Sequence, residues 1–412
     1  MSEVSFNWPR AVLVCVTAAL FCSYQVLIQG APALMVSPLA DSLELTMTQV
    51  GLLSSSFLYA YLIFQVPGAY LAGRCNLRVL LVICYLVMAA GCYWFSVAET
   101  MLSASMARVL MGIATSPSIV VSMTLVSRWF PEKWFPTLAG LVETAALAGG
   151  ALGPVIIPDI MALGGWRYAM QWLAVAGVGL SLLALLFVRD APAVEHSGRG
   201  VSEERQYGQS SFPQLMKQGT FWLCCLYGFG MFAVLACFAS LWGVPFLCER
   251  FPDDHSYVPH TIFLLFAGAA VGAPLIGFRA SVSGRYRQLM ALSALACMVF
   301  TGLAIFLPCS LVTMGCLCFF IGFSSGGYML VFAAVKKVCS KENQGLGIAV
   351  ANGSLLLGGP AMQPLVGAIL NNSLQHSGVL TVTDYQWALV PMFAVQLVAF
   401  AITFLLTGIR GC

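Results

Sequence analysis

Twelve separate stretches of about 20 or more mainly apolar residues run along this chain, and each is long enough to cross a hydrocarbon layer as a helix. They fall at roughly 10–36, 49–73, 77–97, 101–127, 135–158, 166–188, 220–247, 259–279, 287–308, 311–335, 345–370 and 385–408. Almost nothing is left over for a soluble domain. Of the 412 residues only 8% are charged and 60% are hydrophobic, far from the roughly 25% charged of soluble domains. The chain therefore reads as an all-α integral membrane protein of twelve transmembrane helices. The first stretch is too long for a secretory signal and lacks a convincing small-residue cleavage site, so it reads as a retained helix.

Lysine and arginine fix the expected orientation. With the N-terminus inside, cytosolic segments carry sixteen of them, outer loops carry two (Arg167 and Arg250), and Arg108 lies within a helix. The positive-inside rule then puts both termini in the cytosol. The net charge of +3 reflects topology, and nothing in it suggests nucleic-acid binding. The cysteines sit mostly within apolar stretches and behave as small apolar side chains. Their spacing gives neither a disulfide framework nor a metal site. No cofactor is expected, and no nucleophile has a plausible histidine partner, so the chain does not read as an enzyme.

The longest polar stretch, 189–219, is rich in Ser and Gly and reads as a cytoplasmic linker. It divides the chain into an N-terminal six-helix bundle, 1–188, and a C-terminal one, 220–412. Short segments repeat across the two. "QGAPAL" (29–34) matches "WGVPFL" (242–247), "ETAALAGG" (143–150) matches "NGSLLLGG" (352–359), and "GIATSPS" (112–118) matches "GFSSGGY" (322–328), with offsets of 213, 209 and 210. Parallel repeats of this kind are a design of secondary transporters, whose halves rock about a midplane site.

Several short motifs resemble those of the major facilitator superfamily. The loop between the second and third helices, "GAYLAGRCNLR" (68–78), is similar to the family's Gly-x-x-x-Asp-Arg-x-x-Arg-Arg gate marker through Gly68, Arg74 and Arg78. Gly73 fills the acidic slot and Asn76 the later glycine. Arg108 and Gly112 match the helix-four marker, while Gly149, Gly153 and Pro154 match the small-residue hinge of helix five. "SRWFPEKW" (127–134) and "GWR" (165–167) also resemble family loops. The resemblance implies two pseudo-symmetric six-helix bundles working by alternating access.

One carboxylate stands out. Glu143 has no other charge for seven positions on either side, and at 1.5 Å per residue it lies about 12 Å above a helix start near Phe135, close to mid-membrane. Ionisable groups at that depth mark cavities or proton relays, and burial moves a carboxyl's titration toward neutral pH. The plainer reading is a protonated acid that ties helices together. Arg108 lies about 28 Å above the cytosolic end near Ser127, level with Gly153. It is expected either to donate to carbonyls freed by Pro154 or to reach the outer headgroups.

Tyr24, Gln25 and Gln29 of the first helix, and Phe238 and Trp242 of the seventh, are expected to line a solute cavity. Ser116, Ser324, Ser325, Tyr328 and Asn352 are further candidates, and Gln363 adds an amide. Asn352 occupies the repeat position of Glu143, placing an acid in one half and a neutral amide in the other. Tyr61 reads as packing.

The function these features point to is a secondary transporter of a small polar or organic anionic solute, coupled to protons. An exporter of amphiphilic compounds and a non-transporting receptor of the same fold remain alternatives. Expected partners are the solute, protons and membrane lipids, with a monomer sufficient. A bacterial inner membrane fits the compact loops.

Overall fold

The computed structural model describes residues 8–130, 135–189, 217–338 and 344–406. The predicted linker lies, for 190–216, outside the described residues, as do 131–134 of the basic aromatic loop. Every described regular element is helical.

Eleven helices are long and apolar enough to cross a membrane by length and composition. One of them, Phe135–Phe187, has 53 residues, about 80 Å at 1.5 Å per residue, where a crossing needs about 30 Å. It turns at Gly164 and Gly165, and Gly165 adopts φ 76°, a left-handed conformation open to glycine and costly for other residues. The element is thus two crossing helices, five (135–163) and six (166–187), and the crossing helices number twelve among the described residues. The remaining ones are helix one (Trp8–Gly30), two (Met47–Arg74), three (Leu77–Ser96), eight (Val258–Ser283), nine (Tyr286–Phe306) and twelve (Val382–Leu405), together with four broken helices.

The breaks follow the sequence repeat. Helix four is interrupted between Met101–Thr115 and Ser118–Trp129 by Ser116 and Pro117. Helix ten is interrupted 210 positions later, where Leu311–Ser325 gives way to a 3-10 turn, Gly326–Met329, before Leu330–Val338. Helix seven runs from Gly219–Ala233 through a π-helical stretch, Val234–Trp242, to Gly243–Arg250. Helix eleven breaks between Gln344–Leu356 and Gly358–Ser377.

The helices gather into two compact units, one of Met1–Ala31 with Ser56–Val194, the other of Pro32–Ser55 with Glu195–Cys412. Each is held by matching devices. In the first, a Cβ at Gly112 of helix four would collide with the Phe57 carbonyl of helix two; in the second, a Cβ at Gly322 of helix ten would collide with the Leu265 carbonyl of helix eight. The positions differ by 210 and 208. Such backbone contact is how helices pack where lipid supplies no hydrophobic drive.

Arginines close the helix ends. Arg78, at the start of helix three, donates to the Leu185 carbonyl near the end of helix six. Arg287, 209 positions on at the start of helix nine, donates to Thr403 O at 2.8 Å and Phe404 O at 3.4 Å near the end of helix twelve. Arg167 caps helix three through Ser96 O and Ala98 O, and Arg250 caps helix nine through Ala304 O and Ile305 O. Terminal carbonyls lack partners within their own helix and carry the negative end of its dipole.

Gly112→Leu and Gly322→Leu should each lower the apparent melting temperature in detergent, through overpacking of about 1–3 kcal/mol. A Cβ at Gly153 would meet nothing nearer than 3.8 Å, so Gly153→Ala should not lower the melting temperature.

Candidate functional site

Helix one ends just before a 3-10 turn, Ala31–Leu34. Pro32 in that turn has no N–H, so it can donate neither to Ile28 O in an α pattern nor to Gln29 O in a 3-10 pattern. Arg108 supplies both bonds. Its guanidinium donates to Ile28 O at 2.9 Å and to Gln29 O at 3.1 Å, beneath the Phe57 ring at 4.8 Å. With 1% of its surface exposed, Arg108 does not reach the headgroups. The acceptors that it meets include the two carbonyls left without a donor by Pro32.

Below this clamp, four helices of the same unit bring polar groups together. Ser118 of helix four donates to Gln25 Oε1 of helix one, and the Tyr61 hydroxyl of helix two lies within hydrogen-bonding reach of both. Glu143 of helix five is half-buried and close enough to Tyr61 and Cys22 to act on both electrostatically. Cys22 meets Ser122 Oγ at 3.4 Å. Val142 and Ala146, which flank Glu143, pack with Cys22 and Val126. The acid therefore faces the interior of its unit.

Helix five reaches this position because Gly149 lets it touch helix one: a Cβ there would collide with the Ser23 carbonyl. Ser23 in turn donates to Ala145 O at 2.6 Å. Gly153 and Pro154 are also buried, but no comparable contact requires glycine at 153.

Other candidates have different partners. Tyr24 turns away from Gln25: its hydroxyl donates to Leu173 O of helix six at 2.6 Å and the side chain is 4% exposed. In this arrangement Tyr24 packs between helices, since a buried phenol needs an acceptor and Leu173 provides it. Gln29 gives its main-chain carbonyl to Arg108 and keeps a half-exposed side chain. The hydroxyls of Ser116, Ser324 and Ser325 donate to carbonyls of their own helices, Ile113, Phe320 and Gly322. Short hydroxyls at helix breaks commonly make such local bonds.

In the second unit, Trp242 is fully buried and donates to Gln363 O at 2.9 Å. Phe238 packs against Phe246, and Tyr328 against Phe232. Trp242, Phe238 and Tyr328 are all buried. Gln363 holds the centre: its amide nitrogen donates to Ala236 O in the π-helical stretch at 2.7 Å, and its Oε1 accepts from Ser55 at 3.0 Å. Asn352 is half-buried.

Gly68 of the gate motif packs on Ser116 and Pro117, and Arg74 lies 4.4 Å from the Tyr70 ring. Gly73 leads into Arg74 at the end of helix two. Asn76 accepts from the Val79 N–H at 3.1 Å and so caps helix three, a physical reason for an amide in that slot.

Tyr61 and Ser118 were the residues that sequence reasoning undervalued. A signal was available: Phe57, Tyr61 and Gly68 share one helical face, and Gly68 and Phe57 both pack on helix four.

The Major Facilitator Superfamily model matches residues 13–362. A probable sulfoacetate transporter of Cupriavidus necator is 27% identical over 185 residues, 44% of this chain and 43% of that protein. A hexuronate transporter of Bacillus subtilis is 26% identical over 152 residues, 37% of this chain and 36% of that protein. The matched stretches span less than half the length of these relatives. The crystal structure of a bacterial homolog of the human lysosomal transporter Spinster superposes with a TM-score of 0.80 at 16% identity, covering 98% of each chain, a likeness of fold.

Arg108→Leu should lower the apparent stability in detergent, because it strands two buried carbonyls at about 1–3 kcal/mol each. In a Pro32→Ala background, which restores an N–H, the loss should shrink measurably. Strict additivity of the two substitutions would contradict the clamp.

Proposed function

Because the chain belongs to the major facilitator superfamily, we propose that it is a proton-coupled secondary transporter of a small organic anion, working by alternating access. The observation that carries this reading is the convergence of Gln25, Tyr61, Ser118 and Glu143 within one unit. Gln25, Tyr61 and Ser118 offer amide and hydroxyl donors to a carboxylate or sulfonate. The relatives named for sulfoacetate and hexuronate support that class of solute.

Coupling follows from charge. Arg108, the one cation deep in the N-terminal unit's described helices, is committed to the end of helix one. An anion that takes the Gln25, Tyr61 and Ser118 donors brings a second negative charge close to Glu143. Two neighbouring negative charges disfavour each other, so the anion binds when Glu143 carries a proton. Proton and solute then strengthen each other's binding by equal factors, typically about 5–150-fold. Release of one on the far side favours release of the other. Because proton and solute favour each other's binding, this is symport.

Proteoliposomes offered labelled sulfoacetate or a hexuronate should accumulate the solute when the outside is acidified. Glu143→Gln should abolish gradient-driven accumulation and preserve solute exchange, because the amide mimics the protonated acid. Accumulation that ignores the pH gradient, or survives the substitution unchanged, would overturn the proposal.

A further inference from the structure

The second unit carries a groove of about 860 Å³ between helices eight and ten. That volume lies within the roughly 300–1,000 Å³ of small-molecule sites. The floor is apolar, formed by Leu264, Cys316, Phe319 and Phe320, and the rim at one end is polar, with Asp254, Tyr257, His260 and Ser310. An apolar slot with one polar end fits a lipid: acyl chain along the floor, headgroup at the rim.

Position agrees with chemistry. The floor continues onto Val312, 79% exposed, and Phe320, 47% exposed, on a helix apolar enough to cross the membrane. Those surfaces face hydrocarbon when the helix spans. Tyr257 is 63% exposed and its ring lies 6.4 Å from that of His260. Amphipathic rings of this kind mark the level of the headgroups.

The sign of the charge selects the headgroup. Asp254 is half-buried in the rim, Asp253 precedes it, and no lysine or arginine among the described residues lines the groove. The nearby Arg250 has its guanidinium on the Ala304 and Ile305 carbonyls at 2.8 and 3.0 Å. An anionic headgroup would meet the acids without a clamp. A primary ammonium would instead donate charge-assisted hydrogen bonds to the Asp254 carboxylate, which the methylated nitrogen of choline cannot do. We propose that this groove binds a phospholipid bearing a primary ammonium, such as phosphatidylethanolamine, with the ammonium on Asp254 and the phosphate beside His260.

Cys316 on the floor is exposed, and its reaction with a membrane-permeant alkylating reagent reads how far a bound lipid covers it. The full chain is placed in nanodiscs of phosphatidylcholine alone, or with added phosphatidylethanolamine or phosphatidylglycerol. Alkylation of Cys316 is followed by peptide mass mapping, with Cys75, exposed but not lining the groove, as the internal reference. Phosphatidylethanolamine should slow Cys316 labelling several-fold relative to both other compositions. Asp254→Asn should remove that protection and Asp254→Glu should retain it. Equal labelling in all three compositions, or protection that survives Asp254→Asn, would overturn the proposal.

Discussion

Inside hydrocarbon, a backbone carbonyl without a donor has no water to turn to, and each such group costs several kcal/mol. That constraint organises both units. At several points where a helix ends, breaks or loses an N–H to proline, a side chain from a neighbouring helix supplies the missing donor. Arg108 does so at Pro32, Gln363 in the π-helical part of helix seven, and Arg78, Arg167, Arg250 and Arg287 at helix termini. Charges that a composition count registers as orientation signals are, in space, the caps that hold neighbouring helices in register.

The same constraint explains why so few polar groups are left for chemistry. Serines at the breaks bond to their own helices, and buried aromatic hydroxyl and indole groups bond to carbonyls. In the first unit, Gln25, Tyr61 and Ser118 form a cluster where side chains meet side chains beside an acid. Bonds between side chains can be exchanged for bonds to a solute at little cost to the helices, whereas breaking a carbonyl cap would weaken the fold itself. That difference separates a site from a scaffold.

Much of this was legible in the sequence. The twelve apolar stretches gave the crossings, including the turn at Gly164 and Gly165 that divides the longest helix. The near-constant offsets anticipated the paired breaks in helices four and ten, because glycine, proline and serine at those positions act locally. The isolation of Glu143 marked its helix. Partners were harder to read. Sequence offered Pro154 to Arg108, whereas the bonds to the Ile28 and Gln29 carbonyls before Pro32 emerge only from packing. Tyr24 and Gln25 are adjacent in sequence and point to different neighbours, since a helix turns about 100° per residue. Tyr61 looked like one more aromatic in a dense stretch; its role depends on what helices one and four bring to it.

The central claim is that one carboxyl, Glu143, links the proton to the solute. Calorimetric titration of the purified protein with the transported anion, repeated near neutral pH in buffers of different ionisation enthalpy, counts the protons taken up on binding. The account expects net proton uptake by the natural chain and none by Glu143→Gln, with binding retained. The same uptake in both proteins would place the coupling elsewhere and contradict it.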